Sequence, residues 1–200
     1  MPNLVGHPAP DFSCSAVMPD GTINEAFRFA DAIESKYALL FFYPLDFTFV
    51  CPSELIALDR RIEQFQARNV EVVGISVDSV FTHNAWRNTP TSEGGIGPVR
   101  YTLAADLTHT IARSYGVETA DGVALRAAII IDKTGVVRSA TINDLPLGRN
   151  IDELIRLIDA LQFHEEHGDV CPANWRKGDQ GMTASAEGVS AYLAEHAGSL

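Results

Sequence analysis

The chain has 200 residues, 46% of them hydrophobic and 20% charged, which is enough apolar material for a sizeable core and excludes wholesale disorder. Fifteen basic against 26 acidic side chains leave a net charge of −11, which argues against nucleic-acid binding and against attraction to anionic membranes. The longest strongly apolar stretch, Ala38 to Leu45, is one strand long, far below the ~20 residues of a membrane span. The N-terminal run MPNLVGHPAPDF carries no basic-then-apolar secretory pattern, so the cytoplasm is the expected location.

Residues 1–36 are mixed, with a turn signal at Met18-Pro19-Asp20-Gly21. Tyr37 to Tyr43 (YALLFFY) is a continuous apolar run ended by Pro44, which predicts a buried central strand. From Pro52 the pattern turns helical: Leu55, Leu58, Ile62 and Phe65 fall on one face, predicting a single helix through them. Val70 to Val77 predicts the next buried strand, parallel to the first through a right-handed crossover. Phe81 to Arg87 reads as a short helix and 88–100 as a long surface loop. Tyr101 to Ala105 reads as a strand and Thr108 to Tyr115 as a helix. Arg126 to Ile131 and Val136 to Ile142 read as a hairpin around the turn Asp132-Lys133-Thr134-Gly135. Asn150 with Glu153 resembles a capping box, followed by the helical stripe Ile151, Leu154, Ile155 and Ile158. The chain is looser from Gly168 until a terminal helix at Ala184 to Ala197. This order predicts one α/β domain with a thioredoxin-like fold over 1–165, a central mixed β-sheet flanked by helices, and a C-terminal arm over 166–200.

Cys14, Cys51 and Cys171 are too few and too scattered for a disulfide scaffold, and no CxxC pair occurs. Cys51 lies where the apolar strand gives way to the helix, directly before Pro52. Proline suits the first turn of a helix, so Cys51 falls at or beside the N-cap. The helix dipole and free N–H groups there favour an anion, which here would be a thiolate, the nucleophilic form of the residue. The alternative is a cysteine packed as a small hydrophobe. In Pro44-Leu45-Asp46-Phe47-Thr48-Phe49-Val50-Cys51, Thr48 is placed to hydrogen-bond the sulfur or a substrate oxygen. Pro44, lacking an N–H, is placed to shield the sulfur from water. Each also has a plain reading, as a turn cap and a strand end.

The stretch FFYPLDFTFVCPSE resembles the active-site segment of the typical 2-Cys peroxiredoxins, on the side of the bacterial alkyl hydroperoxide reductases. Its Pro-x-x-x-Thr-x-x-Cys core is present as Pro44, Thr48 and Cys51. A second family marker, Val-Cys-Pro near the C-terminus, is matched by Val170-Cys171-Pro172. Ser76 to Trp86 and Leu125 to Asp132 resemble two further family segments. The resemblance runs from about residue 4 to 176.

The resemblance implies that Cys51 is the peroxidatic cysteine, attacking one peroxide oxygen while the other leaves as water or an alcohol. Arg126 would supply the fixed cation beside it and hold the peroxide oxygens during O–O cleavage, and Glu54 would orient that guanidinium. The product is a sulfenic acid. Cys171 of the partner subunit would resolve it as an intersubunit disulfide, re-reduced by thioredoxin or a flavoprotein disulfide reductase. Phe81 and Thr82 resemble positions where homodimers join into a decamer. No cofactor and no metal are implied. Gly94-Gly95-Ile96-Gly97 and Tyr192-Leu193 resemble features of members sensitive to overoxidation, with Leu193 a departure. Ser53 and Ala127 are smaller departures, and Cys14 reads as structural.

Rival readings are weaker. His164, His167 and Cys171 share one helical spacing but lack a fourth ligand and leave Cys51 unexplained. The glycine loop lacks the Gly-Lys-Ser/Thr of a phosphate-binding loop. A protein-binding holdase would be separated from an enzyme by Cys51→Ser, and a disulfide oxidoreductase would need a neighbouring second cysteine.

Overall fold

A computed structural model describes residues 4–200; the first three residues of the N-terminal run lie outside it. The elements in chain order are β1 (Ser13–Val17), β2 (Ile23–Arg28), α1 (Phe29–Ala32), β3 (Tyr37–Phe42), α2 (Cys51–Asp59), α3 (Ile62–Gln66), β4 (Val70–Ser76), α4 (Val80–Asn88), β5 (Thr102–Ala105), α5 (Thr110–Ser114), β6 (Arg126–Ile131), β7 (Val137–Asn143), α6 (Ile151–His167) and α7 (Ala186–His196). They fall into two compact units, residues 4–151 and 152–200.

The first unit is built on a seven-stranded sheet in the order β2-β1-β5-β4-β3-β6-β7. β3 pairs in parallel with β4, and β4 with β5, while the outer pairings are antiparallel. The apolar run predicted as a central strand is β3, and all six of its residues are buried. A strand alternates its side chains, so this run supplies two cores. Ala38, Leu40 and Phe42 join Val73, Ile75, Ile129, Ile131, Ile111 and Tyr115 in one cluster. Burying each such large side chain contributes ~1.5–3 kcal/mol. Leu39, Phe41 and Tyr43 belong to the opposite face. On β6, Ala127, Ile129 and Ile131 share the first cluster. Arg126, one residue out of step, therefore belongs with Phe41 on the second face, and this parity decides where its guanidinium goes.

Three sequence expectations change. Residues 1–36 contain a hairpin, β1 paired with β2, around the turn signal at 18–21. Its strands are half exposed, so they lack the apolar run that marks β3. The single helix expected after Pro52 is two, α2 and α3. At Arg61 the backbone N–H bonds to Leu58 rather than to a carbonyl four residues back, tightening and breaking the helix. Leu55, Leu58, Ile62 and Phe65 are nevertheless all buried. The helix expected over Thr108 to Tyr115 is shorter, with His109 before it in the left-handed region. The hairpin β6–β7 forms as expected. Its turn is fixed by the Asp132 carboxylate, which accepts from the N–H groups of Thr134 (2.8 Å) and Val136 (3.0 Å), and by Gly135 at φ 82°, where a side chain would be strained.

In the second unit α6 is followed by an irregular segment with a bridge between Val170 and Met182. α7 begins at a Ser185 cap that accepts from the Gly188 N–H at 3.0 Å. Among the described residues no helix is long and apolar enough to cross a membrane.

Candidate active site

Cys51 is the first residue of α2, with Pro52 in the same turn, so the residue sits beside the N-cap (Val50). It has no exposed surface. Its sulfur is nonetheless not enclosed by hydrocarbon alone. The Thr48 hydroxyl lies 2.9 Å from Sγ, and Arg126 Nη1 donates to it at 3.2 Å. The same hydroxyl lies 2.9 Å from the Leu45 carbonyl, so its single proton has two acceptors within reach.

Arg126 is fixed at both ends of its guanidinium. Nε donates to Leu145 O (2.6 Å) in the loop after β7, and Nη1 donates to Glu54 Oε2 (2.8 Å) as well as to the sulfur. Glu54, one turn into α2, is buried between two cations. Arg149 donates to it from Nε (2.9 Å), Nη2 (3.2 Å) and the backbone N–H (2.8 Å). Arg149 Nη1 also bonds to Ala127 O at 2.6 Å, and its guanidinium carbon lies 3.3 Å from the centroid of the Phe41 ring. Burial lowers the Arg149 pKa, against the opposing pull of Glu54. Pro44 is buried at the end of β3, opening the loop that leads to the sulfur.

The loop from Pro44 to Val50 is anchored from beneath. The Asp46 carboxylate meets Tyr43 Oη at 2.8 Å and His83 Nδ1 at 2.7 Å, and its backbone N–H donates to Asp78 at 2.8 Å. The His83 ring also faces Ala104 O at 3.3 Å. Burial raises the Asp46 pKa, while the hydrogen bond and charge of His83 act to lower it. Phe47 lies against Trp86 of α4. On the outer side of the loop, Phe49 is almost wholly exposed, at 97%.

The structure thus brings Thr48 and Arg126 onto the Cys51 sulfur, with Glu54 on the Arg126 guanidinium and Pro44 on the same loop. This arrangement points hydrogen-bond donors at a sulfur acceptor in a nearly dry site, which is the setting for a nucleophilic thiolate.

The comparisons with known proteins agree. Residues 5–140 match the AhpC/TSA family, and residues 160–195 match the C-terminal domain of 1-Cys peroxiredoxin. The chain belongs to the AhpC/TSA family and is a peroxiredoxin. It is 51% identical to an alkyl hydroperoxide reductase C of Helicobacter pylori over 193 residues, 96% of this chain and 98% of the relative. Over 193 residues it is 49% identical to peroxiredoxin-2 of Macaca fascicularis, 96% of each. The crystal structure of reduced Plasmodium vivax 2-Cys peroxiredoxin superposes with a TM-score of 0.94 at 50% identity, covering 96% of this chain and all of that one. The thioredoxin-like fold of this peroxiredoxin is therefore established together with its family.

Cys171 belongs to the second unit, where its thiol is half-buried and donates to Ala160 O at 3.4 Å. Burial raises its pKa, with Arg156 acting in the other direction. The imidazoles of His164 and His167 each lie against a backbone carbonyl, at 2.9 Å and 3.1 Å. Cys14 is partly buried, and burial pushes its pKa up to about 11. Two parts of the peroxiredoxin site escape the sequence reading. Arg149 carries no local motif and meets Glu54 only through the fold, 95 residues away. Asp46 did leave a signal: an acid inside the apolar run PLDFTFV needs a buried partner, and His83 provides it.

Proposed function

We propose that this peroxiredoxin reduces hydrogen peroxide and organic hydroperoxides through Cys51. The Cys51 thiolate attacks one peroxide oxygen, the O–O bond breaks, and the other oxygen takes a proton and leaves as water or an alcohol. Sulfur is oxidised to a sulfenic acid and the peroxide is reduced. Arg126 and Thr48 act as donors to the oxygens as charge moves between them, and Pro44 keeps water from the sulfur. Glu54 holds the guanidinium in place. The observation that carries this reading is the convergence of Thr48 Oγ1 and Arg126 Nη1 on one buried sulfur at 2.9 and 3.2 Å.

Cys171 of the partner subunit then attacks the sulfenic acid, water leaves, and an intersubunit disulfide forms. A thioredoxin-type or flavoprotein disulfide reductase returns both sulfurs to thiols. The arm over 166–200 carries Cys171. The working form is a homodimer assembled to a decamer in the cytoplasm. The exposure of Phe81 (75%) on α4 supports a contact between dimers, at the position the resemblance indicates.

The test is peroxide-driven NADPH oxidation with each reductase system, on the wild type, Cys51→Ser and Cys171→Ser. The Cys51 variant is expected to be inactive. The Cys171 variant is expected to turn over once and to give no disulfide-linked dimer on a non-reducing gel. Peroxidase activity surviving Cys51→Ser would overturn the proposal.

A further inference from the structure

The loop that leads from β3 to Cys51 turns at Asp46 and Phe47. Phe47, the second of the two, has φ 52°, in the left-handed region. A turn that needs positive φ at that place ordinarily takes glycine or asparagine, because a Cβ there crowds the following carbonyl. A phenylalanine stays in that region only where its surroundings over-determine it. Here they do so from both sides. Asp46 is pinned by three bonds: its carboxylate meets Tyr43 Oη (2.8 Å) and His83 Nδ1 (2.7 Å), and its backbone N–H donates to Asp78 Oδ2 (2.8 Å). The Ser76 hydroxyl holds that same Asp78 oxygen at 2.8 Å. On the other side the Phe47 ring lies 5.8 Å from the ring of Trp86, which is wholly buried.

Thr48 follows this kink directly. Its hydroxyl lies 2.9 Å from Leu45 O, closing the turn on itself, and 2.9 Å from the Cys51 sulfur. A negative φ at Phe47 would re-aim the Thr48 backbone and carry the hydroxyl off both acceptors. Glycine would reach the left-handed conformation but not hold it, since it visits both signs of φ about equally. Phenylalanine is disfavoured there but supplies a ring that locks it.

We propose that Phe47 is a positioning residue for the peroxide reaction: its left-handed backbone, held by Trp86 and by the anchors on Asp46, aims the Thr48 hydroxyl at the Cys51 sulfur. The inference rests on the reading of Cys51 as the sulfur that attacks peroxide. Phe47 acts through Thr48 rather than on the peroxide itself.

The experiment compares Phe47→Ala, Phe47→Asn and Phe47→Gly with the wild type in the full-length protein. The rate constant for hydrogen peroxide is read by competition with a haem peroxidase, which does not depend on the fluorescence of the neighbouring Trp86. Phe47→Ala keeps the cost of positive φ and loses the lock, so it should react about fivefold to thirtyfold more slowly, the population shift that an unsupported left-handed residue carries. Phe47→Gly loses the lock and the cost together and should recover to within about threefold of the wild type. Phe47→Asn should fall between them. Loss of ring packing alone predicts the reverse, with the glycine variant no faster than the alanine one, and that order overturns the proposal. So does a Phe47→Ala protein that reacts at the wild-type rate. A second test places Phe47→Ala in a Thr48→Val background. There it should cost less than about twofold further, because the hydroxyl it aims is gone. The full fivefold to thirtyfold loss in that background would also overturn the proposal. Peroxidase activity surviving Cys51→Ser would instead sink the assignment of Cys51 itself.

Discussion

Replacing Glu54 by Gln leaves two buried guanidinium groups facing one neutral amide. Glu54 is 3% exposed, and four donors reach its carboxylate: Nη1 of Arg126, and Nε, Nη2 and the backbone N–H of Arg149. Breaking a buried ion pair by removing one partner costs about 3–5 kcal/mol, and the chain should show that loss in its urea midpoint. It should remain folded at 25 °C if its total stability lies in the usual range of about 5–15 kcal/mol. The chemical step should suffer separately. Loss of one preorganised donor to a developing charge typically slows a reaction ~10²–10³-fold. Arg126 keeps its Nε bond to Leu145 O, so the guanidinium stays half anchored and the expected loss is the smaller ~10- to 100-fold. The assay is the second-order rate constant for hydrogen peroxide by stopped-flow fluorescence. Arg149→Met is the control: it lowers stability comparably but leaves the Arg126–Glu54 bond, so its rate should fall less than about fivefold. A Glu54→Gln enzyme that reacts within about twofold of wild type, with its urea midpoint lowered, would refute the view that Glu54 orients the cation.

Three further expectations follow from the same geometry. Thr48→Val removes the hydroxyl 2.9 Å from the sulfur and should slow the peroxide reaction ~10²–10³-fold, while Thr48→Ser retains most of the rate; equal losses in both would mean the methyl, not the hydroxyl, matters. Burial holds the Cys14 thiol up to about 11, so its alkylation by iodoacetamide should be slow at pH 8 and climb steadily toward pH 11, read peptide by peptide by mass. The Asp132 carboxyl is raised by burial but lowered further by hydrogen bonds from Thr134 and Val136, so its folded pKa lies below the ordinary value near 4. Its stabilisation is therefore present above that ordinary value and is lost as pH falls through the folded one, and Asp132→Ala should lose about 1–3 kcal/mol at pH 7 and show a flatter acid limb in urea titrations.

What could be read from the sequence follows the range of the interaction. β3 and β4 were visible because strands buried on both faces need unbroken apolar runs, and the β6–β7 turn because Asp and Gly are demanded locally. The hairpin β1–β2 was not visible beyond its turn, since β2 lies at the sheet edge and carries polar residues at most positions, and β1 is a short strand buried only at its end. The same distinction holds at the site. Thr48 lies three residues from Cys51 and was read from that segment itself, whereas Glu54, though equally near, and Arg126 came only with the family resemblance. Arg149 depends on where β6, α2 and the loop before α6 meet, and nothing adjacent in the chain records that meeting.

The three cysteines show how far environment, rather than residue type, assigns a role. Cys51 is an acceptor: a hydroxyl and a guanidinium, held by separate elements, point at its sulfur. Cys171 is a donor: its thiol lies against a helix carbonyl, and burial raises its pKa. Cys14 lies against the first unit's core, with burial raising its pKa furthest of the two shifted thiols. In the proposed cycle Cys51 attacks first and Cys171 waits, and this inversion of hydrogen-bond polarity suits that order. The fold separates the two states by putting one sulfur at the start of a helix beside a fixed cation and laying the other along the side of a second helix.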